Sequence, residues 1–168
     1  MRLLVKQAAA EAFQSVPWSL SRAAYTNVSF SVAAQGTSPA DIAFKTDGTK
    51  VYVLDNGGSV FQYSLSTAWN LSTASYDSVS FSVTSEDAAP TSLALKSDGT
   101  KMYVMGSAND TVYQYSLTAW DLSTASYDSV SFSVASQDSG PTGLAFKSNG
   151  TRMYVVGDGS DTIYQYSL

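Results

Sequence analysis

Short runs of alternating apolar and polar residues follow one another along most of the chain. In Asp77–Val83 three serines alternate with two valines and a phenylalanine, which is the period-two pattern of a strand with one apolar face. Similar runs predict strands at Thr91–Lys96, Lys101–Met105 and Thr111–Leu117. The Asp98-Gly99 pair between the first two of these runs supplies the positive φ of a tight hairpin. No run keeps a helical spacing, so the pattern predicts antiparallel sheet.

The whole unit repeats with a period of 51 residues. Tyr25, Tyr76 and Tyr127 open three copies, and Pro39, Pro90 and Pro141 keep the same spacing. Four short strands in a repeat of about 40 to 50 residues are typical of a β-propeller blade. The alternatives are a β-solenoid, whose coils are usually shorter, and a sandwich, which would not repeat its sequence so closely. The chain is therefore predicted to be all-β, with three propeller blades of four antiparallel strands at about 33–83, 84–134 and 135–168.

Two segments carry a family resemblance. They read PTSLALKSDGTKMYVMGSANDTVYQYSL and PTGLAFKSNGTRMYVVGDGSDTIYQYSL, and they resemble the blades of YVTN/NHL-type β-propellers. They are also similar to tandem propeller repeats of phage structural proteins and bacterial surface proteins. The resemblance covers residues 16–168 and implies the propeller fold. It implies nothing about a ligand, because propellers host many functions.

The first copy begins in the middle of a blade. Residues 16–32 correspond to a connection and the outermost strand that follows it, and the last copy stops at Leu168, before both. We therefore expect Asn27–Val32 to join Tyr164–Leu168 of a second chain, which would hide an open sheet edge. Three blades are too few for a ring, whereas a two-fold homodimer has six; a nine-bladed trimer is less favoured. The predicted closure residues are Val28, Phe30, Val32, Ile163, Tyr164, Tyr166 and Leu168.

Residues 1–15 lie outside the repeat. Their apolar side chains predict a short helix or an apolar arm, with candidate anchors at Leu3, Leu4, Val5 and Phe13. A frayed tail is the simpler interpretation, and an arm that docks on another structural protein is the sharper one. A signal peptide is not indicated, because Lys6 and Glu11 interrupt its apolar core and no cleavage pattern follows.

The composition removes several kinds of chemistry. The chain contains no Cys and no His, so it lacks a thiolate nucleophile, disulfides and the usual general base and metal ligand. No phosphate-binding glycine pattern precedes a helix, and no apolar run reaches the roughly 18 residues of a membrane span. The net charge of −5 argues against nucleic acid as a partner. We therefore expect no enzyme activity, no metal and no cofactor.

Charged residues are distributed by turn. Six of the nine basic residues flank the turns between the first two strands of the blades, namely Lys45, Lys50, Lys96, Lys101, Lys147 and Arg152. The opposite face carries the acidic residues Asp55, Asp110, Asp158, Asp161, Glu86 and Asp138. Solvated turns explain both sets most simply, and the sharper hypothesis is that the acidic set faces a ligand or partner. Binding of Ca²⁺ is less favoured than turn formation, because the loops lack the alternation of an EF-hand.

Two functions remain open from the sequence. The first is a non-enzymatic structural or adhesive module of a virion, tail or surface assembly that acts through protein–protein contacts. The alternative is a propeller lectin that binds glycans at repeated sites between blades. Trp18, Trp69 and Trp120 could stack on sugars, but their identical placement in each copy favours packing. The expected location is a virion or an extracellular surface.

Overall fold

A computed structural model describes residues 20–168 of the chain. These residues form three antiparallel sheets and two single-turn 3₁₀ helices, Leu20–Arg22 and Leu71–Thr73. The all-β prediction is confirmed. Within this part of the chain no helix is long and apolar enough to cross a membrane. The candidate anchors Leu3, Leu4, Val5 and Phe13 lie outside the described residues, so their role stays a prediction.

Each sheet is one blade, and its strands lie side by side in chain order. Blade 1 consists of β1 (Pro39–Phe44), β2 (Lys50–Asp55), β3 (Ser59–Leu65) and β4 (Ala74–Ser82). Blade 2 consists of β5 (Pro90–Leu95), β6 (Lys101–Gly106), β7 (Thr111–Thr118) and β8 (Asp121–Ser133). Blade 3 has three strands, β9 (Pro141–Phe146), β10 (Arg152–Gly157) and β11 (Thr162–Ser167). The outer edge of β11 therefore pairs with no strand within residues 20–168.

The core lies between the facing sheets of neighbouring blades. The innermost strands β1, β5 and β9 are neighbours in that order. Asp41 on β1 accepts hydrogen bonds from the Ser92 hydroxyl (2.9 Å) and the Leu93 N–H (2.8 Å) on β5. Behind these strands Tyr52 of blade 1 and Met102 of blade 2 are fully buried in one apolar cluster. Removal of such side chains from water is the main term that stabilises the blade array.

The outermost strands contain a bulge that interrupts the regular alternation predicted for Asp77–Val83. Ser78 in β4 and Ser129 in β8 both adopt a φ of 58°. The pairing of these strands with β3 and β7 shifts register at the same place, as a β-bulge requires. Asp77 and Asp128 directly precede these serines. Their carboxylates point toward the two neighbouring strands of their blades and accept hydrogen bonds from Lys50 and Lys101 there.

Each of these carboxylates collects polar groups from two strands. Asp128 Oδ2 accepts hydrogen bonds from Lys101 Nζ (2.6 Å) and Gln114 Nε2 (2.7 Å), and its Oδ1 accepts one from the Ser116 hydroxyl. Burial alone would raise the pKa of Asp128, but the hydrogen bonds from Lys101, Ser116 and Gln114 outweigh it and lower the pKa to about 2. Asp77 is held in the same way in blade 1, by Lys50, Gln62 and Ser64.

Removal of the Asp128 charge should lower the free energy of unfolding and make that free energy less dependent on pH in acid. We expect Asp128→Asn to lower the free energy of unfolding at pH 7 by about 2 kcal/mol, because charged hydrogen bonds are lost in a largely buried place. The folded pKa lies below the ordinary value of 3.8, so this stabilisation is complete above about pH 4 and is lost as the pH falls toward 2. The difference from the wild type should therefore shrink with acidification.

Urea unfolding at pH 7 and at pH 2.5 measures both effects. Asp161→Asn is the control, since the exposed Asp161 carboxylate accepts no hydrogen bond among the residues described. An equal loss of stability in the two variants would contradict the role assigned to Asp128.

Candidate functional site

The turn between the first two strands of each blade begins with a lysine. These lysines are Lys45, Lys96 and Lys147. In blade 1 the Lys45 ammonium lies 2.9 Å from the Asp47 carboxylate, and in blade 2 the Lys96 ammonium lies 2.7 Å from Asp98. Blade 3 has Asn149 at this place. Lys147 consequently pairs with no carboxylate within residues 20–168.

A cavity of about 620 Å³, called the large cavity below, opens beside the unpaired lysine. Its walls combine polar side chains with aromatic rings: Lys96, Ser97, Lys147, Ser148 and Asn149 with Tyr103, Trp120 and Phe146. The hydrogen bond from Lys96 holds the pKa of Asp98 well below its usual range, so Asp98 is ionised beside Lys96 and neutralises its charge. The available charged donor is therefore Lys147. A small anion with hydroxyl groups would find here a cation, neutral polar groups and a stacking surface.

Arg152 is the second cation of blade 3 without an ion pair. Its counterparts in the other blades, Lys50 and Lys101, lie 3.0 Å from Asp77 and 2.6 Å from Asp128. Those carboxylates belong to outermost strands, and blade 3 has no such strand among the described residues. Among the six basic residues of these turns, the two without an ion pair within residues 20–168 therefore both lie on blade 3. The basic residues of the turns were predicted as one set, without distinguishing paired from unpaired cations, although the aligned turns TDGTK, SDGTK and SNGTR contain the signal.

On the opposite face each blade holds one buried carboxylate between two loops. In blade 2 Asp87 is 1% exposed and accepts hydrogen bonds from the N–H groups of Ala89 (2.9 Å) and Asn109 (3.0 Å). Asp138 is 2% exposed in blade 3, and a hydrogen bond from the Ser160 hydroxyl holds the pKa of Asp138 below its usual range. Each of these carboxylates accepts hydrogen bonds from two loops of one blade. The Asp138 carboxylate is therefore hydrogen-bonded within its own blade.

Blade 1 also has one buried carboxylate between the two loops, but it belongs to the last residue of the second strand instead of the loop before the first strand. Gly36 stands where blade 2 has its buried aspartate, and Asp55 stands where blade 2 has Gly106. The Asp55 carboxylate accepts hydrogen bonds from the N–H groups of Ser38 and Gly57, at 2.8 Å each. A Cβ at Gly36 would lie 2.5 Å from Asp55 Oδ2. The two positions have therefore exchanged glycine and aspartate together, and Asp55 is bound within its blade.

The remaining acidic candidates are Glu86, Asp110, Asp158 and Asp161. Glu86 Oε2 accepts a hydrogen bond from the Tyr115 hydroxyl at 3.3 Å. Asp110 and Asp161 adopt φ values of 47° and 51° in turns, a conformation that aspartate tolerates better than most residues. Asp158 and Asp161 are exposed. The predicted acidic set is thus only partly open to solvent, and no group of three candidate metal ligands occurs in the described part of the chain.

The predicted closure residues lie at the two ends of the blade array. At the β11 end Ile163 is 71% exposed, although its counterpart Val112 is 5% exposed. Leu168 is 66% exposed, and Tyr164 and Tyr166 are half-buried. This edge therefore exposes apolar side chains at positions that another blade buries.

At the other end, residues 28–32 lie against blade 1. Phe30 and Val32 pack on its sheet, and the rings of Phe30 and Tyr63 meet edge to face with centroids 5.4 Å apart. Val28 is half-buried. Residues 28–32 pair with no strand within residues 20–168, so they cover a face without belonging to a sheet.

The chain matches no protein-family model and no curated protein. Its fold is similar to a Bacteroides uniformis protein provisionally assigned as a 6-phosphogluconolactonase, at 12% identity and a TM-score of 0.60. It is also similar to the periplasmic gluconolactonase of Pseudomonas aeruginosa, at 17% identity and 0.56, and to the Cps50 (Swd1) β-propeller domain of Myceliophteria thermophila, at 15% and 0.52. Each comparison covers 77% of this chain and 37%, 35% and 39% of the respective structure.

These likenesses confirm the β-propeller fold, and the chain spans less than two fifths of the length of each structure. They also correct the functional expectation. Similar structures carry the names of lactonase enzymes, so the expectation of a non-enzymatic structural or adhesive module, with a lectin as its alternative, is wrong. At these identities the likeness shows the fold alone, and the resemblance to phage and bacterial surface repeats stays a prediction.

Proposed function

We propose that the chain is a ligand-binding part of an enzyme-type propeller, and that its ligand is a small hydroxylated anion such as a sugar phosphate. The observation that carries the proposal is the unpaired Lys147 ammonium beside a cavity with hydroxyl, amide and aromatic walls. The names of similar structures support this ligand class, because a phosphogluconolactone is both anionic and hydroxylated.

The other two blades indicate how Lys147 would bind an anion. Their turns allow the lysine to reach a carboxylate two residues further along the chain, at 2.9 and 2.7 Å. In blade 3 the charged group of a ligand would take the place of that carboxylate, and the Asn149 amide would add a neutral donor. Ser97 and Ser148 line the same cavity, and their hydroxyls would form hydrogen bonds with the ligand's hydroxyl groups. One charge-assisted hydrogen bond of this kind contributes about 1.5–3 kcal/mol.

Asn149→Asp should remove most of the binding and leave the turn intact. The new carboxylate would pair with Lys147, as Asp47 and Asp98 pair with their lysines, and would repel an anionic ligand. We expect the affinity for 6-phosphogluconate to fall at least about tenfold, which corresponds to the loss of one charge-assisted hydrogen bond. Isothermal titration calorimetry at low ionic strength measures this change, and added salt should weaken wild-type binding as well.

Two controls accompany this titration. Asp98→Asn frees Lys96 from its carboxylate and should strengthen 6-phosphogluconate binding or add a second site. Neutral glucose has the hydroxyl groups without the charge and should bind far more weakly. Equal binding by the wild type and Asn149→Asp, or glucose binding as tight as that of 6-phosphogluconate, would overturn the proposal.

A further inference from the structure

Blade 3 has an open sheet edge and two cavities where blade 2 has a connection and an outermost strand. We infer that a second copy of this chain supplies the missing strand: its residues 20–32 pair with β11 and place Leu20 in one of the cavities, so that two chains close one ring of six blades. The inference is independent of the proposed ligand, because blade 2 accommodates its turn lysine and its connection together. Four structural observations support it.

The first observation is an apolar cavity that matches the environment of a buried leucine. Leu122, at the start of β8 in blade 2, is 1% exposed, and its N–H donates a hydrogen bond to Gln62 Oε1 of blade 1 at 2.9 Å. Tyr52 lies in the same apolar cluster. The counterparts of Tyr52 and Gln62 one blade further on are Tyr103 and Gln114, and both line a cavity of about 370 Å³, the small cavity. The small cavity therefore offers an apolar ring and an amide oxygen, on Tyr103 and Gln114, in the places where Tyr52 and Gln62 contact Leu122. A corresponding leucine would fit there.

The second observation concerns the large cavity. The indole rings of Trp69 and Trp120 lie so close over the turn glycines Gly48 and Gly99 that a Cβ on either glycine would overlap them. Gly150 is the corresponding glycine of blade 3, and a Cβ there would meet nothing within 4 Å. Gly150 also lines the large cavity. The space over the turn glycine, which a tryptophan covers in the other two blades, is therefore open in blade 3 within residues 20–168.

The third observation is that residues 20–32 have the sequence and the backbone shape of the missing part. The string VSFSV occurs at 28–32, 79–83 and 130–134. Asn27 adopts a φ of 59°, and its counterparts Ser78 and Ser129 adopt 58° in the bulges of β4 and β8. Leu20 stands two periods before Leu122 and is 89% exposed. The segment thus shares the positive φ of the outermost strands at the bulge position, although it pairs with no strand within residues 20–168.

The fourth observation explains why the occupant is a second copy. The Phe30 ring lies 5.4 Å from Tyr63 of blade 1, and the Phe81 ring of β4 lies 5.5 Å from Tyr115 of blade 2. An outermost strand thus pairs within its own blade and packs on the next one. A segment that packs on blade 1 must pair with the blade before it, and blade 3 of the same chain lies at the opposite end of the array, beyond blade 2. In a two-fold ring the preceding blade is blade 3 of the second copy.

Both ends of the array also expose apolar residues that are buried at the blade 1–blade 2 junction or within blade 2. Ile42 on β1 is 54% exposed where Leu93 on β5 is 5% exposed, and Ile163 is 71% exposed where Val112 is 5% exposed. In blade 2 Val112 pairs with Phe132, so the same register pairs Ile163 with Phe30 of the second copy. Ring closure would cover both exposed ends, which is the usual role of such apolar surfaces.

Light scattering on the full chain tests the inference. The expected mass is twice the 17.8 kDa of one chain. Leu20→Glu places a charge in the small cavity and should weaken the dimer at least about a hundredfold, because a charge buried without a partner is costly. Ala108→Glu adds the same charge to an exposed loop on the opposite face and should remain dimeric. Circular dichroism of each variant checks that it is folded.

A designed disulfide tests the register and does not depend on the behaviour of the Leu20 variant. Thr111 pairs with Ser133 in blade 2, so Ser31→Cys with Thr162→Cys should form a disulfide between two chains. The chain has no cysteine of its own. Ser29→Cys with Thr162→Cys is two residues out of register and should crosslink poorly. A mass of one or three chains, a disulfide within one chain, or equal crosslinking of both pairs would overturn the inference.

Discussion

Replacement of Asp87 by glycine is expected to lower the free energy of unfolding by about 3 kcal/mol, because buried N–H groups of two loops lose their acceptor. Gly106→Asp alone should be similarly destabilising, since its side chain would overlap the Asp87 carboxylate and bring two negative charges together. The double variant Asp87→Gly with Gly106→Asp reproduces the arrangement of Gly36 and Asp55 in blade 1. We expect it to be within about 1 kcal/mol of the wild type, a strongly non-additive result of the kind that residues in contact produce.

Urea unfolding of the two single variants and the double variant measures this coupling. The reverse exchange in blade 1, Gly36→Asp with Asp55→Gly, is the matched control and should behave in the same way. If the double variant in blade 2 were as unstable as Asp87→Gly alone, the two carboxylate positions would not be equivalent.

The second large effect is expected at Leu122. Leu122→Ala should lower the free energy of unfolding by about 3 kcal/mol, because it removes apolar contacts and leaves a cavity between blades 1 and 2. Leu20→Ala makes the same chemical change at the same place of the repeat, where the side chain is 89% exposed within one chain. It should leave the stability of the single chain within about 0.5 kcal/mol of the wild type.

Thermal and urea unfolding over a range of protein concentrations compare these two leucine variants. Leu20→Ala should lower the unfolding midpoint only at protein concentrations where the wild type is dimeric, because a dimer is stabilised by mass action. Similar losses from both substitutions at low concentration would show that Leu20 packs within its own chain.

The strand order was predictable from the sequence because every blade repeats the same alternation. The bulge at Ser78 was not, since a serine at positive φ has no signature in a period-two count. The connections also differ more than their sequences indicate. β8 begins at Asp121, directly after the turn at Trp120, whereas blade 1 forms the helix Leu71–Thr73 before its outermost strand. Blade 1 has Ser66-Thr67 where blade 2 has Thr118 alone, and this one extra residue is the length difference visible in the sequence.

The candidate site was predictable as a set of lysines but not as one available lysine. Which ammonium is free depends on a single exchange at Asn149, and charge counts do not record pairing. Burial of Asp55 and Asp138 was harder still. Each carboxylate is bound in part by a donor from a loop that is distant in sequence, the Ser38 N–H for Asp55 and the Ser160 hydroxyl for Asp138.

The exchange of glycine and aspartate in blade 1 also bears on how the copies diverged. A lineage that changes one residue at a time must pass from the pair Asp87 and Gly106 to the pair Gly36 and Asp55 through either two aspartates or two glycines. Two aspartates would place overlapping carboxylates in one buried space. Two glycines would leave buried N–H groups without an acceptor, a loss of similar size. Because either intermediate is destabilised, we expect these two positions to change together among copies of this repeat.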